Sequence, residues 1–255
     1  NINGQMLAMK VFLATLQFLT RLPVPANASA RMSVEDYPRG VYWFPVIGLI
    51  VGMCCTVIYM LTASALGPLM AAMLAVTTNV LVTGAFHLNG LADSCDGLFS
   101  RSGRARALEI IRDSRIGTYG AAAVVLTLLI RVGAIYQMSV SGYAMLPVLL
   151  ATPLLSRGTL LLLMFRQNYA REDGLGNLYI GKICPRRFVL TLLITLAGVA
   201  LLCGVMSLIA VAVTLFFALM FRSAVQEKIG GQTGDTLGAG NELFEIVFLL
   251  ALMWH

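Results

Sequence analysis

Long apolar runs separated by short polar stretches dominate the hydrophobic pattern of this chain. A helix that crosses a bilayer needs about 20 predominantly apolar residues. The runs that meet this length most clearly are 41–66, 68–86, 119–140 and 143–165. The pattern therefore predicts a membrane-spanning helix in each of these ranges.

Three other apolar stretches are less regular. Range 188–221 holds 34 residues, which is too many for one crossing and suits two short helices with a turn near Gly204. The run 243–254 is short for a crossing unless its helix begins earlier, around Gly238. The stretch 5–20 predicts a helix that lies on the membrane or dips into it.

These patterns together predict an all-α fold, a polytopic integral membrane bundle of about six to seven transmembrane helices. We expect one membrane-embedded catalytic domain over 1–255, with an interfacial helix and loop in 1–40 and the bundle in 41–255. Composition agrees, because 58% of the residues are hydrophobic and only 12% are charged. A soluble domain usually carries about 25% charged residues, so a soluble globular protein is excluded.

The net charge of +6 has two interpretations. In a soluble protein such an excess of basic residues suggests a nucleic-acid partner. In a membrane protein the positive-inside rule accounts for it, because Lys and Arg accumulate in cytoplasmic loops. We therefore expect a lipid bilayer and no nucleic acid among the partners.

The charged residues are concentrated in a few of the connections between the predicted helices. The charged connections are 31–39, 93–115, 166–187 and 222–235. The turns near 66–67, 141–142 and 203–204 carry no charge. The charged connections all fall on one side of the predicted topology, and their basic excess makes that side cytoplasmic. Polar groups at one face, rather than at the bilayer midplane, favour a surface enzyme over a transporter.

The stretch HLNGLADSCDG, residues 87–97, concentrates polar side chains at the end of an apolar run. If the second membrane helix continues through it, Asn89, Asp93 and Asp96 share one helical face. Hard oxygen ligands of this kind suit Mg²⁺ shared with a phosphate. The alternative is a solvated helix end that caps the next element. His87 is a candidate general base, metal ligand or capping group.

Basic residues in two further loops are candidate phosphate ligands. Arg112 and Arg115 lie in RDSRIGTYG, three residues apart, where two guanidiniums can clamp phosphate oxygens. Lys182 ends the glycine-rich stretch REDGLGNLYIGK, whose backbone amides can cradle an anion, although its spacing matches no phosphate-binding loop. Anchoring of the loops to the cytoplasmic side is the alternative for these basic residues.

GGQTGDTLGAGNELFEI, residues 230–246, is the second acidic candidate. If a helix starts there, Asp235, Glu242 and Glu245 form one stripe, and carboxylates entering a membrane helix indicate function. The alternative is a flexible loop whose acids favour the helix dipole. Gln232 and Thr233 of the same loop are candidate substrate or phosphate ligands.

Two arginines lie inside apolar runs. Arg157 is about two turns from the cytoplasmic end of its run, and we expect it to reach into a polar cavity. Arg131 is nearer the middle of the membrane. Its side chain could either face a polar cavity or form a buried structural ion pair, and the sequence does not decide between them. Carboxylates, arginines and glycine-rich turns on one side favour phosphoryl-group transfer to a large or amphipathic substrate.

Seven stretches resemble one enzyme family. They are RLPVP, FPVIGL, HLNGLADSCDG, LEIIRDSRIGTYG, SRG, YAREDGLGNLYIGK and GGQTGDTLGAGNEL, which run from near the N-terminus to the last helix. The chain resembles the cobalamin synthases, the adenosylcobinamide-GDP ribazoletransferase family of the bacterial inner membrane. The resemblance implies a multi-pass inner-membrane enzyme with cytoplasmic catalytic loops, acting late in cobalamin biosynthesis.

The resemblance also implies the reaction. The hydroxyl of α-ribazole, or of its 5′-phosphate, attacks the cobinamide-linked phosphate of adenosylcobinamide-GDP. GMP leaves, and adenosylcobalamin or its 5′-phosphate results. The family needs Mg²⁺. A homo-oligomer and contacts with other cobalamin-assembly enzymes are open expectations.

Residue roles follow from placing that reaction on the motifs. Asp93 and Asp96 are expected to hold Mg²⁺, with Asp235, Glu242 and Asn89 as further metal ligands. The residues expected to act in catalysis are His87, Asp93, Asp96 and Asp235. One of them is expected to accept the hydroxyl proton. The expected ligands of the phosphates are Arg112, Arg115, Arg157, Lys182, Gln232 and Thr233.

One position departs from the family pattern, which reads H-L-D-G-L-A-D-x-C-D-G. The chain has Asn89 where the first Asp of that pattern is expected. An amide oxygen can still bind a metal, but it carries no charge and accepts no proton. We expect this form to be a natural variant or an inactive one, and favour the latter.

Two alternatives remain open at this point. A CDP-alcohol phosphotransferase-like lipid enzyme shares D-x-x-D-G with residues 93–97, but its downstream motifs are absent. The other alternative is a corrinoid transporter or scaffold.

Overall fold

The computed structural model describes residues 2–25, 33–113 and 115–254, with side chains from residue 5 onward. The α-helices in these residues are α1 Ile2–Leu19, α2 Phe44–Thr83, α3 Phe86–Leu98, α4 Arg104–Arg112, α5 Thr118–Val140, α6 Met145–Thr159, α7 Leu161–Met164, α8 Pro185–Cys203, α9 Ser207–Ile229 and α10 Gly234–Leu252. Two 3₁₀ helices, Val34–Trp43 and Leu175–Leu178, complete the regular structure of the described ranges. The predicted fold class, a helical membrane bundle, is confirmed.

Five helical segments of the described residues are long and apolar enough to cross a membrane. They are Val34–Thr83, Thr118–Val140, Met145–Met164, Pro185–Cys203 and Ser207–Ile229. The first is divided at Gly67, whose φ of 80° interrupts the helix just before Pro68. Its limbs, 44–66 and 68–83, measure about 35 Å and about 24 Å by helical rise, so the two predicted helices of this region are found.

The second limb of α2 ends before the acidic stretch 87–97. We had expected Asn89, Asp93 and Asp96 to share a face if this helix continued through the stretch, and it does not. Gly84 and Ala85 have φ values of 63° and 56°, which break the helix, and α3 starts at Phe86. Arg21 packs on this break, and its backbone N–H donates to the carbonyl of Val82 at 2.7 Å. Asn89, Asp93 and Asp96 therefore share a face of a new helix.

Helix α10 begins at Gly234, earlier than the predicted start near Gly238. Thr233 caps it: its hydroxyl accepts the backbone N–H of Thr236 at 3.2 Å, and the Thr236 hydroxyl accepts the N–H of Thr233 at 2.9 Å. This helix packs against α3, α5, α6 and α9. A helix that holds several acids is thus enclosed by apolar neighbours.

Helix α6 is the other central helix, almost entirely buried, whereas α8 and α9 expose most of their apolar side chains. Gly48 and Gly52 let α2 approach it closely, since a Cβ at Gly52 would lie 2.7 Å from the carbonyl oxygen of Leu149. Small residues at a contact between membrane helices allow such backbone approach. The predicted turn within 188–221 is found at Gly204, between α8 and α9.

Charged connections meet at one end of the bundle. Lys228, in the last turn of α9, donates to the carbonyls of Ser100 and Ser102 at 2.7 and 2.9 Å. Gln232 donates its backbone N–H to the carbonyl of Asn168 at 2.8 Å. The connection after α3 therefore contacts the last turn of α9, the connection after α7 contacts the segment that follows α9, and this end carries the candidate site. The assignment of 1–255 to one domain stays a prediction.

Candidate active site

The site is built on a close crossing of α3 and α10. A Cβ at Gly90 would lie 2.7 Å from the carbonyl oxygen of Asp235, and a Cβ at Gly238 would lie 3.1 Å from that of His87. Only glycine allows two helices to approach this closely. The crossing brings Asp93 of α3 beside Asp235 in the first turn of α10.

Asp93 and Asp235 form a partly buried acid pair. The Asn89 side-chain amide donates to Asp93 Oδ2 at 2.7 Å, and Arg171 Nη2 lies 2.8 Å from Asp235 Oδ2. Burial and the nearby Asp235 raise the pKa of Asp93 to about 6, against the opposing effects of Arg171 and Asn89. Burial also raises the pKa of Asp235. Both carboxylates are thus short of positive charge, and a cation would stabilise them.

Asp96 has a different environment from Asp93. Its Oδ2 accepts the backbone N–H of Gly117 at 2.7 Å, and its Oδ1 accepts that of Gly120 at 2.9 Å. Asp96 therefore caps the N-terminus of α5 from another helix, and its charge favours the helix dipole. The structure gives it the capping role that the sequence left open, and its metal role stays a prediction that must compete with these bonds.

The donor set around the acid pair suits Mg²⁺. No group of three or more His, Cys, Asp or Glu residues that could share one ion occurs in the described part of the chain. Mg²⁺ does not need such a cage, because it is usually bound by one or two carboxylates together with substrate phosphates and water. The carboxylates of Asp93 and Asp235 and the amide oxygen of Asn89 are donors of this type.

Arg171 is the basic residue of the site that the sequence analysis missed. It lies in the same glycine-rich loop as Lys182, and its position among polar residues was the available signal. The guanidinium pairs with Asp235, and its Nε is buried without a hydrogen-bond partner among the described residues. Lys182 is exposed at the other end of that loop, and no contact with the acid pair is found for it in the described structure.

The two predicted arginines of the 112–120 loop are separated by the structure. Arg112 is exposed and lines a groove of about 310 Å³ together with Arg171. Arg115 pairs instead with Asp113 at 2.7 Å, and its side chain is 87% exposed. Of these two arginines, the structure therefore brings only Arg112 into a groove shared with Arg171.

Gln232 and Thr233 are completely buried. Thr236 donates its hydroxyl to Gln232 Oε1 at 3.0 Å, and Gln232 Nε2 donates to the carbonyl of Arg222 at 3.3 Å. With the Thr233 hydroxyl used for the cap of α10, these side chains hold the loop before α10 in place. Their predicted contact with substrate is not tested by this arrangement.

Glu242 and Arg157 lie deeper in the bundle than the acid pair. Glu242 is seven residues beyond Asp235 on α10, about 10 Å along the axis, and it accepts from Arg131 Nη1 at 2.7 Å. Glu245 pairs with Arg131 and, at 3.2 Å, with Arg157 Nη1. Of the two possibilities for Arg131, a polar cavity or a buried structural pair, the structure shows the buried pair. The predicted metal role of Glu242 and phosphate role of Arg157 would require these pairs to open.

His87 is also buried, with 1% of its surface exposed. Neither ring nitrogen has a hydrogen-bond partner among the described residues. Burial, with Arg157 and Arg131 nearby, lowers its pKa well below the ordinary value. Its ring lines a small cavity with apolar neighbours such as Phe44 and Leu160, so a predicted role as general base has no supporting contact in the described residues.

The fold and the site define a class: a polytopic helical membrane protein with a carboxylate and arginine cluster at one end of the bundle. The model of the cobalamin-5-phosphate synthase family matches residues 11–253. The chain belongs to this family, so the resemblance and the prediction of an enzyme are confirmed.

Named relatives cover almost the whole chain. The adenosylcobinamide-GDP ribazoletransferase of Escherichia coli (strain K12) is 45% identical over 245 residues, 96% of this chain and 99% of the relative. The proteins of the same name from Escherichia coli O157:H7 and Shigella flexneri are 45% and 44% identical over the same shares. No solved structure matches the chain.

Proposed function

We propose that the chain transfers the adenosylcobinamide-phosphate group of adenosylcobinamide-GDP to α-ribazole or α-ribazole 5′-phosphate. The names of its relatives and its family membership support this reaction. The observation that carries the site is the crossing at Gly90 and Gly238, which joins Asp93 to Asp235 beside Arg171.

The reaction forms one bond and breaks one. The ribazole hydroxyl oxygen attacks the cobinamide-linked phosphorus, and the bond from that phosphorus to the bridging oxygen breaks. The bonding electrons leave with GMP, and the hydroxyl proton passes to a base. Asp93 supports that role best, because it is partly exposed, whereas Asp96 accepts two backbone N–H groups and His87 is buried.

Asp93, Asp235 and Asn89 are the residues proposed to hold Mg²⁺. When bound, the ion would neutralise charge on the diphosphate and on the acid pair. Arg171 pairs with Asp235 and lines the adjacent groove, where its positive charge would favour a phosphate. Arg112, across the groove, adds a second guanidinium for the same diphosphate.

The proposed location is the inner membrane of a bacterium, with the site end of the bundle facing the cytoplasm. The apolar helices and the basic excess of the charged connections support this orientation. The transporter alternative gains no support, because the charges found inside the described bundle are paired: Arg131 and Arg157 with Glu242 and Glu245.

The test is direct. Purified protein in detergent, with Mg²⁺, is mixed with adenosylcobinamide-GDP and α-ribazole or its 5′-phosphate, and GMP release is followed by chromatography. The same assay is run on the unaltered chain and on its Asn89→Asp variant, because an inactive Asn89 form would release no GMP by itself. We expect GMP and the cobalamin product in equal amounts from the variant, whereas a scaffold or transporter would release no GMP in either form.

The activity of this form is expected to depend on Asn89. Asn89 donates to Asp93, whereas an Asp in its place would add a third carboxylate at the same position. We expect the Asn89→Asp variant to bind Mg²⁺ about tenfold more tightly, because affinity rises with ligand charge, and to turn over faster. Equal rates for both forms would remove position 89 from the mechanism.

A further inference from the structure

A groove beside the acid pair has the size and lining of a nucleotide site. It lies between α4 and the loop 170–173, and its volume is about 310 Å³. Small-molecule sites usually measure roughly 300–1,000 Å³. Arg171 connects the two places, since it lines the groove and also pairs with Asp235 at 2.8 Å.

Packing and hydrogen bonds hold the two walls of the groove in place. Helix α4 is anchored through Ala107 and Ile111, which pack with the C-terminal half of α9 and leave Leu108 and Arg112 on the groove side. The loop is held to the segment before α10, because Ala170 donates its N–H to the carbonyl of Gln232 at 2.9 Å.

A second contact fixes the loop tip. The hydroxyl of Tyr169 donates to the carbonyl of Asp173 at 3.1 Å. Gly174, with a φ of 141°, makes room for that hydroxyl, which would collide with a Cβ there. A groove with fixed walls binds a ligand at little ordering cost.

The charges of the groove are mixed, and this is the informative feature. Arg112 and Arg171 suit phosphate oxygens, but Glu109, Glu172 and Asp173 line the same groove. Glu109 pairs with Arg106 at 2.8 Å. Glu172 and Asp173 are exposed, and no ion pair is found for either within the described residues. A simple phosphate site would not place two free carboxylates in the same groove as its arginines.

A ligand that carries both a phosphate and adjacent N–H donors explains this lining. Guanine carries such donors, N1–H and the 2-amino group, and an ionised carboxylate offers only acceptors. The aliphatic side chain of Leu108 supplies an apolar surface for the base.

We propose that this groove binds the guanosine monophosphate portion of the substrate, with Glu172 and Asp173 accepting from the guanine edge and Arg112 and Arg171 contacting its phosphate. The inference rests on the proposed function for the identity of the nucleotide. It goes beyond that function in naming where the leaving group lies and which residues select guanine.

The experiment measures nucleotide binding and needs no turnover. Binding of GMP, IMP and AMP to the full chain in detergent is followed by equilibrium dialysis. IMP lacks the 2-amino group, and AMP lacks both guanine donors. We expect GMP to bind about tenfold more tightly than IMP, since a hydrogen bond to a charged acceptor is lost, and AMP to bind more weakly still.

The double variant E172Q/D173N should bind GMP and IMP equally. Glu227→Gln is the matched control, because Glu227 is an exposed acid of α9 outside the groove lining, and it should keep the preference for GMP. Equal binding of GMP and IMP by the unaltered chain would overturn the proposal. So would a preference that survives in the double variant or disappears in the control.

Turnover separates this inference from the function it rests on. Selective GMP binding without GMP release from adenosylcobinamide-GDP, in both the unaltered chain and the Asn89→Asp variant, would refute the proposed reaction and retain the groove as a guanine site. GMP release with no selectivity in binding would retain the reaction and refute the groove.

Discussion

The interior of the bundle and its charged end both hold acids and arginines, but they differ in balance. Inside, Arg131 and Arg157 face Glu242 and Glu245, and all four are almost fully buried. At the end, Asp93 and Asp235 share the single nearby guanidinium of Arg171 found in the described residues, and both have raised pKa values.

This difference separates a structural use of charge from a chemical one. A buried set with equal numbers of opposite charges is neutral as a whole and is costly to break. In a partly exposed set with excess negative charge, the carboxylates repel each other. Binding of a cation or a proton stabilises such a set. The same residue types therefore hold helices together in one region and form a reactive site in the other.

Disrupting the interior set of Arg131, Arg157, Glu242 and Glu245 should have the largest effect on the stability of the fold. Glu245→Ala leaves Arg131 and Arg157 without their shared partner, and the loss of one member of a buried pair costs about 3–5 kcal/mol. The free energy of unfolding in mixed detergent measures this loss. Asp93→Ala is the control and should stay within about 0.5 kcal/mol of the unaltered chain; similar losses in both variants would remove the distinction.

Breaking the end set should abolish chemistry and leave the fold intact. Asp93→Asn removes the charge and the proposed proton acceptor, so GMP release should fall by about 10²- to 10⁴-fold. The rate is measured at saturating substrate beside the melting temperature. A rate within twofold of the unaltered chain would contradict the role of Asp93.

The pH dependence of metal binding sharpens the same contrast. A raised pKa means that the carboxyl of Asp93 takes up a proton as the pH falls through about 6. Mg²⁺ needs the ionised form, so its affinity should fall about tenfold between pH 7 and pH 5. The raised pKa of Asp235 steepens this loss.

Calorimetric Mg²⁺ titrations at pH 5, 6 and 7 measure the dependence. Asp93→Asn should bind Mg²⁺ more weakly at pH 7 and with a flatter pH profile. An unchanged slope in that variant would assign the titration to another group.

The smallest effect is expected at Asp96. This residue lies at the charged end of the bundle, on the same helix as Asp93, but its hydrogen bonds to the start of α5 give it a structural role. Asp96→Asn weakens the cap on α5, which should cost about 0.5–2 kcal/mol of stability. Its Mg²⁺ affinity should remain close to that of the unaltered chain. A large loss of Mg²⁺ binding without loss of stability would instead support Asp96 as a metal ligand.

Much of the fold was predictable because membrane insertion imposes a local rule. Length and hydrophobicity of each run were enough to predict the apolar helices and the turns at Gly67 and Gly204. The break at Gly84 and Ala85 was missed, since Ala85 adopts a positive φ that alanine rarely takes. Contact with Arg21, far away in the chain, accompanies that break.

The sequence predicted which types of residue form the candidate site, but it did not identify every residue that belongs to it. The stretches with Asp93 and Asp235 were identified, because acids at the edge of apolar runs are costly without a role. Arg171 was missed, and Arg115 was grouped with Arg112, since sequence spacing does not show which partner a long side chain selects.

Hydrophobic length, the one-sided distribution of charge and the family motifs were properties of the sequence alone, and they established a helical membrane enzyme of one family. Only the tertiary structure decided which acids act together. Glu242 and Asp235 lie on one helix, but Arg131 of α5 pairs with Glu242, whereas α3 places a second carboxylate, Asp93, beside Asp235. The physical reason is that charge balance depends on neighbours in space, and those neighbours come from distant parts of the chain.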